Sequence, residues 1–210
     1  LVMAKADGLP ARATAGLPTV ALRAPRHPVA RKLLEVFDAP ISAPSANRSG
    51  AVSPTTAEHV QADYADIDDL LILQGGLCEI GLESTVVDLS TTQARILRPG
   101  AVTVRELLEV LDEVDEPILT AQDASPGTRR RHYAPATPAE LLPMALLIER
   151  LNQATFRAAV LCFDDAYVPS PHVAIVMPQG AGAYARRLYG ALREADALAC
   201  DRILILAPPE

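Results

Sequence analysis

Ser84-Thr85-Val86-Val87-Asp88-Leu89, then Ser90-Thr91-Thr92-Gln93, then Ala94-Arg95-Ile96-Leu97-Arg98 is the stretch on which the fold turns. Two β-prone runs flank four polar residues, so strands at Ser84–Leu89 and Ala94–Arg98 are expected to form a hairpin through Ser90–Gln93. Just upstream, Leu70–Leu73 is a continuous apolar run stopped by Gly75-Gly76 and is expected to be a strand. Downstream, Pro99-Gly100 turns the chain, and Thr103 with Glu106 has capping-box spacing for a helix reaching about Leu111. A hairpin set among helices calls for an α/β domain whose sheet is not purely parallel.

Further out, Thr19–Arg23 is a short β-prone run ended by Ala24-Pro25. Pro28 suits the first turn of a helix, with Val29, Leu33, Leu34 and Phe37 on one face. Pro40–Ala43 is expected to be a brief strand, and Pro44–Pro54 is too rich in small polar residues to be a core element. Thr55 and Glu58 are expected to cap a helix through about Tyr64. Composition then shifts at the acidic Asp112–Glu116. Ser125–Pro138, with its prolines and three consecutive arginines, reads as a linker. Beyond it the pattern gives a helix near Ala139–Leu151, strands at Ala158–Phe163 and Val173–Met177, a helix near Ala183–Leu198 and a strand at Arg202–Ala207. That order is a small doubly wound unit, expected to be cut off at Glu210.

The 210 residues, half of them apolar, suffice for one large domain or two small ones. A net charge of -7 advertises neither a nucleic-acid nor a membrane surface. The charge is uneven: residues 1–60 carry seven Lys/Arg against four Asp/Glu, and residues 61–125 carry three against fourteen. An anion site therefore belongs more naturally with the first block. Cys78, Cys162 and Cys200 are odd in number and widely spaced, as in a cytosolic protein with reduced thiols. No apolar run approaches the ~18–20 residues needed to cross a bilayer. Leu1-Val2-Met3 reads as the tail of a strand, so the chain is expected to begin inside a domain.

Several stretches could carry chemistry, each with a plainer reading beside it. Ala43-Pro44-Ser45-Ala46-Asn47-Arg48-Ser49-Gly50, followed by Ser53-Pro54, has side chains small enough to let a ligand reach an anion-binding backbone nest. Ser45, Asn47 and Ser53 would add donors, and the helix after Thr55 a positive dipole end. Taken alone, an ordinary Asn/Ser loop is the better reading. Arg23 and Arg98 each end a strand, where a guanidinium can hold a carboxylate or phosphate through paired bonds; singly, each is as readily a surface residue. Gly81-Leu82-Glu83-Ser84-Thr85 sets an acid and two hydroxyls before a strand, or is simply a turn. Arg129–Arg131 reads as a solvated run, and His132-Tyr133 could cover a ligand. His27 and His59 read as a helix-start and a surface residue without a second metal ligand nearby. Neither GxxxxGK[ST] nor GxGxxG occurs.

Together these pieces are more specific. Thr19–Pro25, Ala43–Thr56, Gly75–Asp88, Arg98-Pro99-Gly100 and Ser125–Pro135 stand in the order and spacing of the YrdC-like family of threonylcarbamoyl-AMP synthases, which the chain resembles from residue 1 to about 138. Ser45-Ala46-Asn47, Glu83 to Asp88 and His132-Tyr133-Ala134-Pro135 carry most of the resemblance. The linker and the unit after it resemble the family's two-domain version. The fold implied is α/β: the C-terminal part of a YrdC-like twisted mixed-sheet domain over 1–120, a linker at 121–138, and a small, incomplete Rossmann-like α/β domain over 139–210.

The resemblance also implies a reaction. Threonine's amine takes up bicarbonate-derived carbon dioxide, and the carbamate oxygen attacks the α-phosphate of ATP. Pyrophosphate leaves, and threonylcarbamoyl-adenylate passes to partner proteins that modify adenosine beside the anticodon of certain tRNAs. Magnesium accompanies the ATP. Position by position, Thr19, Ser45, Ser53, Arg98 and Tyr133 match ATP-contacting positions, and Arg23, Ala43 and Ser84 match threonine-contacting ones. No residue matches a covalent nucleophile or a metal ligand, so the work implied is positioning and charge stabilisation. The family's Lys-x-Arg element is expected upstream of Leu1, so residues 1–210 alone are expected to be nearly inactive. Gln74 stands where an Asp often precedes the double glycine. The linker, with Tyr133, is expected to close over the occupied site. Two rivals share the domain: a carbamoyltransferase of the hydrogenase-maturation type, and a non-catalytic module that holds RNA weakly. The acidic balance disfavours the second.

Overall fold

A computed structural model describes residues 1–116, 133–163 and 168–208. By their contacts the residues divide into two compact units, Leu1–Ser45 with Glu83–Arg130, and Ala46–Leu82 with Arg131–Glu210.

The first unit holds a mixed sheet. Its strands β1 (Val2–Ala4), β2 (Thr19–Ala21), β3 (Val86–Asp88), β4 (Ala94–Arg98) and β5 (Val114–Asp115) lie in the order β2-β1-β3-β4-β5. β3 and β4 form the expected antiparallel hairpin, with Val87 opposite Ile96 and a register shift between Val86 and Val87. Alternation places Ala94 and Ile96 in the interior and Arg95 outside, as a half-buried strand requires. β1 runs parallel to β3 and antiparallel to β2, and β4 runs parallel to β5. β5 lies in the acidic stretch that reads as the end of the domain; Val114 pairs with Ala94 despite its charged neighbours.

Helix α1 (Pro28–Phe37) starts at the expected proline, with His27 as its N-cap, and ends at a left-handed Asp38. Pro40–Ala43, expected to be a strand, is irregular, since no neighbouring strand offers it a ladder. The Thr103–Glu106 capping box is complete: the Thr103 hydroxyl accepts from the Glu106 N–H at 3.3 Å, and Glu106 Oε2 accepts from the Thr103 N–H at 2.8 Å. The helix it opens, α3 (Val104–Leu107), gives way to turns before Leu111 and is shorter than expected.

The second unit is built on a wholly parallel sheet. β6 (Ala139–Leu142), β7 (Ala158–Cys162), β8 (Val173–Val176) and β9 (Arg202–Leu206) lie in the order β6-β9-β7-β8. Every residue of β7 is buried, so its two faces feed two cores. Ala158, Val160 and Cys162 pack with Leu147 and Leu151 of helix α4 (Met144–Asn152), together with Leu204 and Leu206. Ala159 and Leu161 pack with Ala191, Leu192 and Ala195 of helix α5 (Ala181–Ala197), together with Ile175 and Ile203. Each large aliphatic side chain so buried contributes roughly 1.5–3 kcal/mol. This is the doubly wound unit expected, with one correction. Ala139–Leu142, read as the start of a helix, is strand β6, and Pro143 caps the helix after it.

Ala46–Leu82 packs within this unit. Its helix, α2 (Ala57–Asp63), is capped by Thr56, whose hydroxyl accepts from the His59 N–H; the expected cap, Thr55, is buried one residue earlier. Leu70–Leu73 is not the expected strand. It finds no partner, and Leu71 is 82% exposed. All three cysteines are free, and among the described residues no helix is long and apolar enough to cross a membrane.

Candidate functional site

The first unit brings three of the expected site residues together, and strand direction explains why. β2 and β4 both run antiparallel to β3, so the ends of β2 and β4 and the start of β3 share one end of the sheet. Arg23 follows β2, Arg98 closes β4, and Ser84 precedes β3. Arg23 Nη2 donates to Ser84 Oγ at 3.1 Å. Arg98 donates to the Ser84 carbonyl through Nε at 3.1 Å and Nη2 at 2.9 Å, and Nη2 lies 3.3 Å from Ser84 Oγ. One serine is thus bracketed by two guanidinium groups. The nearest oxygen of Glu83 is 3.8 Å from Arg98 Nη2, an ion pair longer than a hydrogen bond.

The turn after β4 fixes this geometry. A Cβ on Gly100 would stand 2.3 Å from the Thr85 nitrogen and 2.6 Å from the Glu83 carbonyl oxygen, so only glycine lets the two segments approach so closely. The Thr85 hydroxyl donates to the Val102 carbonyl at 2.8 Å and accepts from the Val102 N–H at 3.0 Å. Thr85 is therefore a latch between these segments, not the pocket hydroxyl that its sequence context suggests.

The other expected residues of this unit stand apart from that cluster in kind. Thr19 is in β2, in register with Ala4, while Ala43 and Ser45 are exposed in irregular chain after α1. No hydrogen bond ties them to Arg23, Ser84 or Arg98 among the bonds described.

Ser53 and Tyr133 belong to the second unit. The loop before Ser53 is organised from within. Asn47, buried, donates its amide to the carbonyls of Arg48 and Ala51, both at 2.9 Å, and its Oδ1 has no hydrogen-bond partner among the described residues. Its donors serve its own loop, contrary to the ligand-facing role expected for them. The helix after the loop has seven residues. Tyr133 has a left-handed backbone, and its ring centroid is 6.3 Å from that of Tyr189 on α5. The next residue, Ala134, donates to the Gly50 carbonyl at 3.1 Å. Arg129–Arg131 and His132 lie outside the described residues.

A cavity of about 670 Å³ adjoins this loop, and its charged groups are engaged with the protein itself. Arg193 on α5 donates to Asp63 through Nη1 at 2.9 Å and Nη2 at 2.6 Å, and also to the carbonyls of Val52 and Ser53. Asp196 accepts from the N–H groups of Ala136 and Thr137, both at 2.9 Å. Sequence reasoning missed Arg193, Asp63 and Asp196, because partners 130 and about 60 residues apart leave no local signal. Near them, His59 Nδ1 accepts from the Thr55 N–H at 3.2 Å, which requires that nitrogen to be unprotonated. Burial, then the Arg193 charge, pull the His59 pKa below its ordinary value, against an opposing pull from Asp63 and Glu58.

Known proteins resemble both parts of the chain. The family described as "Telomere recombination", which groups Sua5, YciO and YrdC proteins, matches residues 1–100. The family described as "Threonylcarbamoyl-AMP synthase, C-terminal domain" matches residues 102–210. A threonylcarbamoyl-AMP synthase of Pyrococcus abyssi is 43% identical over 65% of this chain and 41% of its own length. One from Bacillus subtilis is 38% identical over 77% of this chain and 49% of its own. The chain thus spans about half the length of the curated relatives it matches. The crystal structure of P. abyssi Sua5 complexed with L-threonine superimposes with a TM-score of 0.84 at 33% identity, covering 100% of this chain and 64% of that one. A variant of the same protein gives 0.83. With a match in each half of that architecture, the chain belongs to the two-domain Sua5 family of threonylcarbamoyl-AMP synthases.

Proposed function

We propose that the full-length protein carrying this chain is an L-threonylcarbamoyladenylate synthase. It joins L-threonine, bicarbonate and ATP into threonylcarbamoyl-AMP, releasing pyrophosphate and water. The observation that carries this reading is the convergence of Arg23 and Arg98 on Ser84 in a chain of this family. Two guanidinium groups around one neutral hydroxyl suit two anionic partners. Arg23 takes the threonine carboxylate, with Ser84 and the small Ala43 beside it, and Arg98 takes a phosphate. Thr19, Ser45, Ser53 and Tyr133 complete the nucleotide contacts. No protein nucleophile takes part: the carbamate oxygen forms the bond to the α-phosphorus as the bond to pyrophosphate breaks. The protein contributes orientation and neutralises charge that builds on the phosphate oxygens.

Magnesium enters this reading with the ATP phosphates, as part of the substrate; among the described residues no cluster of three or more His, Cys, Asp or Glu side chains suits a metal ion. In this reading the catalytic domain covers 1–120, the linker 121–138 and the second domain 139–210. The protein works in the cytoplasm and hands its adenylate to tRNA-modification proteins. The test is pyrophosphate release from ATP by the full-length protein. Release is expected only when threonine and bicarbonate are both present; equal release with serine, or with no amino acid, would sink the assignment.

A further inference from the structure

We propose that Arg193, far along the chain on α5, is a positioning residue for nucleotide binding; this rests on the synthase reading, in which Ser53 contacts ATP. In a trans peptide, the carbonyl of one residue and the N–H of the next point in opposite directions. Arg193 Nη2 donates to the Val52 carbonyl, so the Ser53 N–H is turned away from α5. Arg193 Nε lies 3.4 Å from the Ser53 carbonyl, so the same guanidinium reaches two successive carbonyls. Asp63 holds the opposite side of the fork with bonds of 2.9 and 2.6 Å, leaving the guanidinium little freedom. On the carbon side of that peptide, the Val52 side chain is 3% exposed, in the core beneath α5. Pro54 follows with its backbone rotation fixed by the ring. Residues 52–54 are thereby set before any ligand arrives, which lowers the ordering cost that ATP binding would otherwise carry.

The fork geometry is what matters, so lysine is an informative replacement. A lysine keeps the charge but cannot reach the Asp63 carboxylate and two carbonyls at once. In the full-length protein, Arg193→Lys should weaken binding of α,β-methylene-ATP with magnesium by about tenfold and leave threonine affinity unchanged. Hydrogen exchange in peptides spanning residues 50–56 should speed up without any ligand. Asp63→Asn should act in the same direction with a smaller effect, and it serves where Arg193→Lys fails to fold. Arg202→Ala, which removes an exposed pair with Glu140, should change neither readout.

A merely structural arginine would lower the melting temperature and leave nucleotide affinity alone. Wild-type nucleotide affinity in a folded Arg193→Lys protein, or equal weakening of ATP and threonine, would overturn the proposal. So would unchanged exchange at 50–56. Wild-type protein that binds no nucleotide at all would overturn the synthase reading instead, while the exchange data would still decide whether Arg193 orders the loop.

Discussion

Arg98 and Arg193 are both mostly buried, with 12% and 15% of their side chains exposed, yet their surroundings differ in kind. Arg193 meets a carboxylate through both terminal nitrogens and two main-chain carbonyls besides. Its charge is neutralised and its donors are directed inward. Arg98 meets the carbonyl and hydroxyl of Ser84, with the Glu83 carboxylate at 3.8 Å, and a second guanidinium, that of Arg23, reaches the same hydroxyl. Two guanidinium groups thus converge on one serine. The lesson is that two arginines of similar burial can be engaged by different acceptors, a carboxylate fork in one case and a serine in the other.

The largest test is Asp63→Ala. It strands the Arg193 charge in a largely buried setting, and should destabilise the full-length protein by about 3 kcal/mol in denaturant titration. Arg23→Ala removes an exposed cation and should cost under about 1 kcal/mol. If the two variants lose equal stability, the contrast between the arginines collapses.

Next in size is the effect on ligands. A charged hydrogen bond to a ligand contributes roughly 1.5–3 kcal/mol, so Arg98→Ala should weaken ATP, and Arg23→Ala threonine, by about ten- to a hundredfold. Calorimetric titration of each ligand separately measures this. Identical losses for both ligands in both variants would mean that the two arginines do not divide the substrates.

The smallest effect belongs to pH. His59, beside Arg193 and Asp63, has a folded pKa below the ordinary 6.5, so the unfolded chain takes up a proton that the folded one refuses. Its contribution is intact above pH 6.5 and is lost as pH falls from there through the lowered folded value. Melting temperatures followed from about pH 7.5 down to about pH 5 should fall less steeply in His59→Gln than in wild type. Parallel curves would remove His59 from the account.

The sequence was legible where structure is local or strongly patterned. The Thr103–Glu106 box, the β3–β4 hairpin and the apolar runs of β7, β8 and β9 all lie near their expected places. It was illegible where a partner decides. Ala139–Leu142 has good helix formers, yet β9 pairs with it residue for residue and makes it a strand. Leu70–Leu73 has strand-like residues and no edge to join. Around the site, Arg23, Ser84 and Arg98 could be picked out by motif order, but their meeting depends on strand directions that no local pattern encodes. Arg193 and Asp63 offered nothing to read at all, being 130 residues apart on unremarked helical positions.

Helix α5 also works as a ruler. Arg186 donates to the Glu79 carbonyl at 2.6 Å, Arg193 grips the Val52–Ser53 peptide, and Asp196 caps the Ala136 and Thr137 amides. The first and last stations are ten residue steps apart, about 15 Å of rod at 1.5 Å per residue. Gly81 presses so closely on the first station that a Cβ would stand 2.5 Å from the Arg186 carbonyl oxygen. Substitution along the rod changes one station at a time. A single inserted residue between Arg186 and Arg193 would turn every later station through about 100°, and would offer the three segments marks that no longer match.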